Sequence, residues 1–139
     1  MEDFRDFICY EMKMTMKKIE KHFTRSLKEY SLNFAQSLIL FSLLEKDGCT
    51  LSEIGNRAQI ENSSLTTMAD KLEKEGLVER KLDIQDRRII RLFLTEAGRN
   101  TGQIVFAEGA AFNRRLKTIL SGAEKDLLAA LKELRGHLT

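Results

Sequence analysis

Apolar residues recur at steps of three and four from the beginning of the chain: Phe4, Phe7, Ile8, Met12, Met16, Ile19, Phe23, Leu27 and Tyr30. One stripe of a helix collects them, which predicts a long amphipathic helix over about residues 2–30. From Phe34 to Leu44 the pattern changes, because Phe34, Ala35, Leu38, Ile39, Leu40, Phe41, Leu43 and Leu44 cover most sides of the segment. Such a helix is expected at the centre of the fold. Glu45-Lys46-Asp47-Gly48 reads as a turn, and Thr50-Leu51-Ser52-Glu53 as a capping box that starts the next helix. Its apolar positions Leu51, Ile54 and Ala58 are followed by a second set, Leu65, Met68, Ala69 and Leu72, with only about residues 59–62 between. That is the length of a helix-turn-helix connection. Gly76 stops the second helix, and two strand-like runs, Leu77–Leu82 and Arg88–Leu94, flank a short tip. Beyond Thr101 helical spacing returns in two stripes: Val105, Phe112, Leu116 and Ile119, then Leu127, Leu128, Leu131, Leu134 and Leu138. Ser121-Gly122-Ala123-Glu124 between them has the form of another capping box.

The elements give a mainly α fold with a small β-hairpin wing, a winged helix-turn-helix lobe over 34–99 within one domain of 139 residues. Helices at 1–30 and 101–139 flank it. Their apolar stripes exceed what one small lobe needs to cover itself, so a homodimer with interleaved ends is expected. A three-helix layer within a monomer is the alternative. The dimer would set two reading helices about one DNA turn apart.

Charge enters through its distribution. The net charge is only +2, and Thr50–Arg99 holds nine basic and nine acidic residues, so bulk charge does not argue for nucleic acid. Clustering does. Between Arg80 and Arg91 five basic residues (Arg80, Lys81, Arg87, Arg88, Arg91) face two acidic ones (Asp83, Asp86). With Leu65 inward, the second helix turns Ser63, Thr66, Thr67, Asp70 and Lys74 outward, with Ser64 and Lys71 at the flank. Short hydroxyl side chains at a helix N-terminus suit phosphates and base edges. Ser63, Ser64, Thr66, Thr67 and Lys71 are therefore candidates for the major groove of a pseudo-palindromic duplex, and Arg87 and Arg88 for the minor groove. Arg57, Lys74 and Arg80 are candidates for phosphates. Asp86, two residues from Arg88, can brace its guanidinium. Asp70 on the reading face repels phosphate unless it accepts from a cytosine amino group.

Asp86-Arg87-Arg88 followed by Leu92-Phe93-Leu94-Thr95-Glu96-Ala97-Gly98 resembles the wing and exit motif of MarR-type winged-helix repressors. Leu72-Glu73-Lys74-Glu75-Gly76-Leu77-Val78-Glu79-Arg80 is similar to the family's recognition-helix end and wing start. The likeness runs over nearly the whole chain and implies a DNA-binding transcriptional regulator. It departs at Ile84, where the family often has proline, which implies a differently bent tip. Cys9, 25 residues before Phe34, is placed as in the family's peroxide-sensing branch, where oxidation of a first-helix cysteine releases DNA. The positions aligned with that branch's tyrosines are Phe23 and Phe34, which lack a hydroxyl. A thiolate would need another donor, Tyr10 or Tyr30 across the dimer.

Other classes find little support. His22 and His137 have no partners at a metal-ligand spacing, and there is no glycine-rich phosphate loop or nucleophile elbow, so neither enzyme, metal site nor cofactor is expected. No run approaches a membrane span and no signal peptide is visible, which makes a cytoplasmic protein without membrane contact the expectation. Cys49 reads as a small buried residue. Release from DNA by a small aromatic or anionic effector is a second regulatory route, with Met12, Met16, Phe23, Phe34 and Leu38 lining its pocket and Lys13, Lys17 or His22 at the mouth. Two rival readings stay open: a winged helix used for protein contact without DNA, and a thiol peroxidase acting through Cys9.

Overall fold

A computed structural model describes residues 1–138; Thr139, the last residue of the expected terminal helices, lies outside the described residues. The chain divides into two compact units, Met1–Phe106 and a second that starts at Ala107. Among the described residues six α-helices and one hairpin follow in order: α1 (Ile8–Leu27), α2 (Phe34–Glu45), α3 (Leu51–Ala58), α4 (Asn62–Lys74), β1 (Val78–Leu82), β2 (Ile90–Leu94), α5 (Glu96–Leu120) and α6 (Glu124–His137).

In the first unit the expected N-terminal helix is interrupted. Asp3 accepts from the Arg5 N–H and opens a 3₁₀ turn over Phe4–Asp6, Phe7 is extended, and only then does α1 begin. It ends at Leu27, where a second 3₁₀ turn (Lys28–Tyr30) and left-handed Ser31 carry the chain into α2. The Asn33–Gln36 capping box opens α2. Ile39, Leu40 and Leu43 of α2 are fully buried, as a central helix requires, together with Leu27, Ile54, Leu65, Ala69, Leu72, Leu92 and Val105. Its buried serines are satisfied within the helix: Ser37 Oγ donates to the Phe34 carbonyl and Ser42 Oγ to the Leu38 carbonyl.

Thr50 and Glu53 form the expected capping box of α3. Left-handed Gln59 ends it, and α4 starts at Asn62 without a side-chain cap. The hairpin pairs Val78 with Leu94 through Leu82 with Ile90, so β2 begins two residues later than its apolar run suggested. Thr95 explains the exit motif: its hydroxyl donates to the Gly76 carbonyl (2.6 Å) and accepts from the Gly98 N–H (2.9 Å), capping α5, which starts at Glu96 and not at Thr101. A Cβ at Gly98 would stand 1.8 Å from the Leu77 carbonyl oxygen, so backbone meets backbone there.

The second unit corrects one expectation. Ser121 does not cap α6: it closes α5 in the left-handed region (φ 52°), Gly122 follows at φ 93°, and Ala123 precedes α6 with no side-chain cap. Two successive positive-φ residues are needed to turn the chain, and a capping residue has to be extended.

Gly98→Ala is expected to destabilise the protein by about 1–3 kcal/mol, the usual cost of forcing extra volume into a packed contact. Thermal denaturation measures it; an unchanged midpoint would mean that α5 does not approach Leu77 this closely.

Candidate nucleic-acid interface

Leu65, Ala69 and Leu72 seat α4 on the core, which turns Ser63, Ser64, Thr66, Thr67, Asp70, Lys71 and Lys74 to the surface, as the periodicity predicts. Thr66 Oγ1 donates to the Asn62 carbonyl (3.0 Å) and Thr67 Oγ1 to the Ser63 carbonyl (3.2 Å). With those protons committed, the two threonines offer acceptor lone pairs and methyl groups outward. Asp70 is paired with Arg80 of β1. Arg80 also donates to the Thr66 carbonyl (3.2 Å), its N–H donates to Glu73 (3.1 Å), and its Nε is buried without an acceptor. The sequence aims Arg80 at phosphate; the structure turns it onto α4, where it cancels the charge of Asp70. Residues ten apart in sequence and on different elements gave no local signal of that pair. Arg57 is held by Glu45 of α2, both exposed. Lys71, Lys74 and Arg87 have no ion pair among the described residues.

At the wing, Asp86 accepts from the Arg88 backbone N–H (3.0 Å), Nε (3.1 Å) and Nη2 (3.2 Å), the bracing that the Asp-x-Arg spacing predicts. Arg88 nevertheless remains 91% exposed. Asp83 folds the tip by accepting from the N–H groups of Gln85 and Asp86, and Ile84 stands out almost fully exposed. Lys81 lies 5.0 Å from the centre of the Phe93 ring. The Arg91 side chain holds the Asp83 carboxyl below the usual range, helped by the Asp86 N–H; the Arg88 side chain, then its N–H, does the same for Asp86.

The other candidates lie apart from this surface. Phe23 and Phe34 meet edge to face with centroids 5.2 Å apart, while Met12 and Met16 of the expected effector pocket are exposed. Leu38 is half-buried. Cys9 is exposed on the first turn of α1, and the neighbouring Tyr10 ring packs edge-on to Phe4. Cys49 is buried, its thiol donates to the Lys46 carbonyl (2.9 Å), and burial, then the Glu53 charge, pushes its pKa up. Among the described residues no cluster of three metal-ligating side chains occurs, and no helix is long and apolar enough to cross a membrane.

Residues 32–90 match the MarR family profile. The HTH-type transcriptional repressor MdtR of Bacillus subtilis is 31% identical over 123 residues, which cover 88% of this chain and 78% of that protein. The chain belongs to the MarR family. A second relative by sequence, the HTH-type transcriptional regulator SarZ of Staphylococcus haemolyticus, is 28% identical over 93 residues, 67% of this chain and 63% of SarZ. The chain therefore aligns with less than two thirds of that relative's length. The fold of this MarR-family chain is that of S. aureus MepR in its complex with DNA, with a TM-score of 0.87 over 95% of this chain and 98% of MepR at 21% identity.

Both wing carboxyls should titrate below the ordinary aspartate value of 3.8. A depressed folded pKa means that the bracing is fully present above the unfolded value and is lost as pH falls through the folded one. Carboxyl NMR titration should thus place the Asp83 and Asp86 midpoints below 3.8, with the wing-tip amides shifting in the same acid window; midpoints at or above 3.8 would show that the braces are absent in solution.

Proposed function

We propose that this chain is a homodimeric, sequence-specific DNA-binding transcriptional regulator, in the simplest case a repressor, working in the cytoplasm on a pseudo-palindromic duplex. The observation that carries the reading is the side-by-side display of a hydroxyl-bearing helix face and an exposed arginine locked at a wing tip. Ser63, Ser64, Thr66, Thr67 and Lys71 enter the major groove, and Arg87 and Arg88 the adjacent minor groove. Lys74 and Arg57 reach phosphates, the latter by exchanging its exposed pairing with Glu45. Arg80 neutralises Asp70, which removes the one repulsive charge from the reading face. The relatives support this reading: MdtR is a repressor, and MepR is seen on DNA.

The terminal segments support the dimer. Phe4 and Ile8 near the N-terminus are 63% and 69% exposed, and Ile119 and Leu128 in the second unit 66% and 53%. Apolar surface of this extent is what a two-fold partner covers. The domain assignment that goes with it gives the ends, 1–30 and 101–139, to dimerisation and 34–99 to DNA. Control of DNA affinity follows one of two routes: a small aromatic or anionic effector near Phe23, Phe34 and Leu38, with Met12 and Met16 closing over it, or oxidation of exposed Cys9. Either works only by favouring one spacing of the two reading helices over the other.

Fluorescence anisotropy on duplex DNA from upstream of the protein's own gene, against a scrambled duplex, is expected to show at least about a thousandfold preference that weakens steeply with salt. Equal, weak binding to both would favour a winged helix that contacts protein. On a preferred duplex, Arg88→Ala should lower affinity and reduce the salt slope by about one without unfolding the dimer. Replacing contacted thymines by deoxyuridine should cost about fourfold each, the worth of one buried methyl group at about 0.8 kcal/mol; no change would remove the threonine methyls from the readout.

A further inference from the structure

The most connected group of charges without a role so far lies where the wing joins the lobe. Arg91, at the second position of β2, donates from Nε to Asp83 (2.7 Å) and from Nη1 to the Gly48 carbonyl (2.9 Å). Its Nη1 also lies 3.9 Å from the Glu53 carboxylate, which Lys46 Nζ approaches to 2.9 Å. The Asp83 carboxylate that holds Arg91 is the one that accepts from the Gln85 and Asp86 N–H groups at 3.1 and 3.0 Å. Asp86 in turn grips Arg88. A continuous line of hydrogen bonds therefore runs from the turn between α2 and α3, through Arg91 and Asp83, to the exposed arginine at the tip. The two inner members are sheltered, at 33% exposure for Arg91 and 17% for Asp83. A guanidinium spends its donors in a fixed fork here, one prong on the wing and one on the helix-turn-helix body.

We infer that Arg91 is a positioning residue for DNA binding, a basic wing residue that faces away from the duplex and fixes the wing tip to the helix-turn-helix body. The inference rests on the DNA-binding reading above. It separates Arg91 from Arg87 and Arg88, from which composition alone does not distinguish it.

Charge-preserving and charge-removing variants give opposite signs for the two roles of a basic wing residue. If Arg91 touched phosphate, Arg91→Lys would keep its charge and nearly all affinity, and Asp83→Asn, which removes a negative charge beside DNA, would tighten binding. A positioning Arg91 predicts that Arg91→Lys and Asp83→Asn each weaken binding to the preferred duplex by roughly tenfold, because lysine lacks the fork and asparagine the charge that holds it. The double variant should lose no more than either single one, as expected for two members of one interaction. Hydrogen exchange supplies a readout independent of DNA: the Asp83 amide, which donates to the Ile89 carbonyl, and the Ile89 amide, which donates to the Asp86 carbonyl, should lose protection in both variants. Core amides of α4 such as Leu72 should keep theirs, which shows that the lobe is folded. Full affinity in Arg91→Lys, tighter binding in Asp83→Asn, or unchanged protection at the tip would each overturn the inference. Failure of the unaltered protein to prefer any duplex would end the regulator reading alone, since the exchange result still decides whether Arg91 holds the tip.

Discussion

The short turn between α2 and α3 receives the wing, and the arrangement of the winged-helix lobe depends on that docking. Leu92 of β2 donates its N–H to the Cys49 carbonyl (2.9 Å), and Asp47 accepts from the Leu94 N–H (2.9 Å) while reaching Arg99 of α5 at 3.4 Å. Thr50 and Arg91 form a β-bridge. Gly48 fits under the Phe93 ring only because it lacks a side chain, with φ at 76° and the place of a Cβ 2.8 Å from the ring. One strand thus ties together the start of α3, the end of α2 and the beginning of α5. A two-stranded hairpin alone is marginal in water, and here it is ordered by what it rests against.

Function is layered on that frame by a division of labour among charges. Arg80 faces α4, Arg91 the body of the lobe, and Arg88 the solvent, each with an aspartate as partner. Three arginines of one hairpin are thereby directed to three different surfaces. The wing is shaped less by its strands than by its carboxylates, which is why it holds a defined tip at a position where Ile84 supplies no ring to restrict the backbone.

What the sequence made legible was local. Helical periodicity located the core of α2 and the inward side of α4, since burial of Leu65 and Leu72 follows from a repeat within a single element. The Thr50–Glu53 box and the Asp86–Arg88 brace were readable because their members stand three and two residues apart. The Arg80–Asp70 pair and the bond from Arg91 to Gly48, 43 residues away, were not, because tertiary folding alone brings them together. Ser121 misled for another reason: Ser-x-x-Glu marks a helix start only where the serine is extended, and here it is left-handed. The 3₁₀ turn before α1 breaks a stripe whose spacing runs through it unchanged.

The exposed polar face of α4 has a consequence for descent. Ser63, Ser64, Thr66, Thr67 and Lys71 project from a helix whose packing is carried by the opposite side, so replacing them alters neither the core nor the wing docking. Substitution at such exposed positions usually changes stability by no more than about 0.5 kcal/mol. Under the proposed DNA-binding reading, a duplicated copy of this chain can therefore acquire a new target sequence through a few point changes while its fold stays as robust as the parent's.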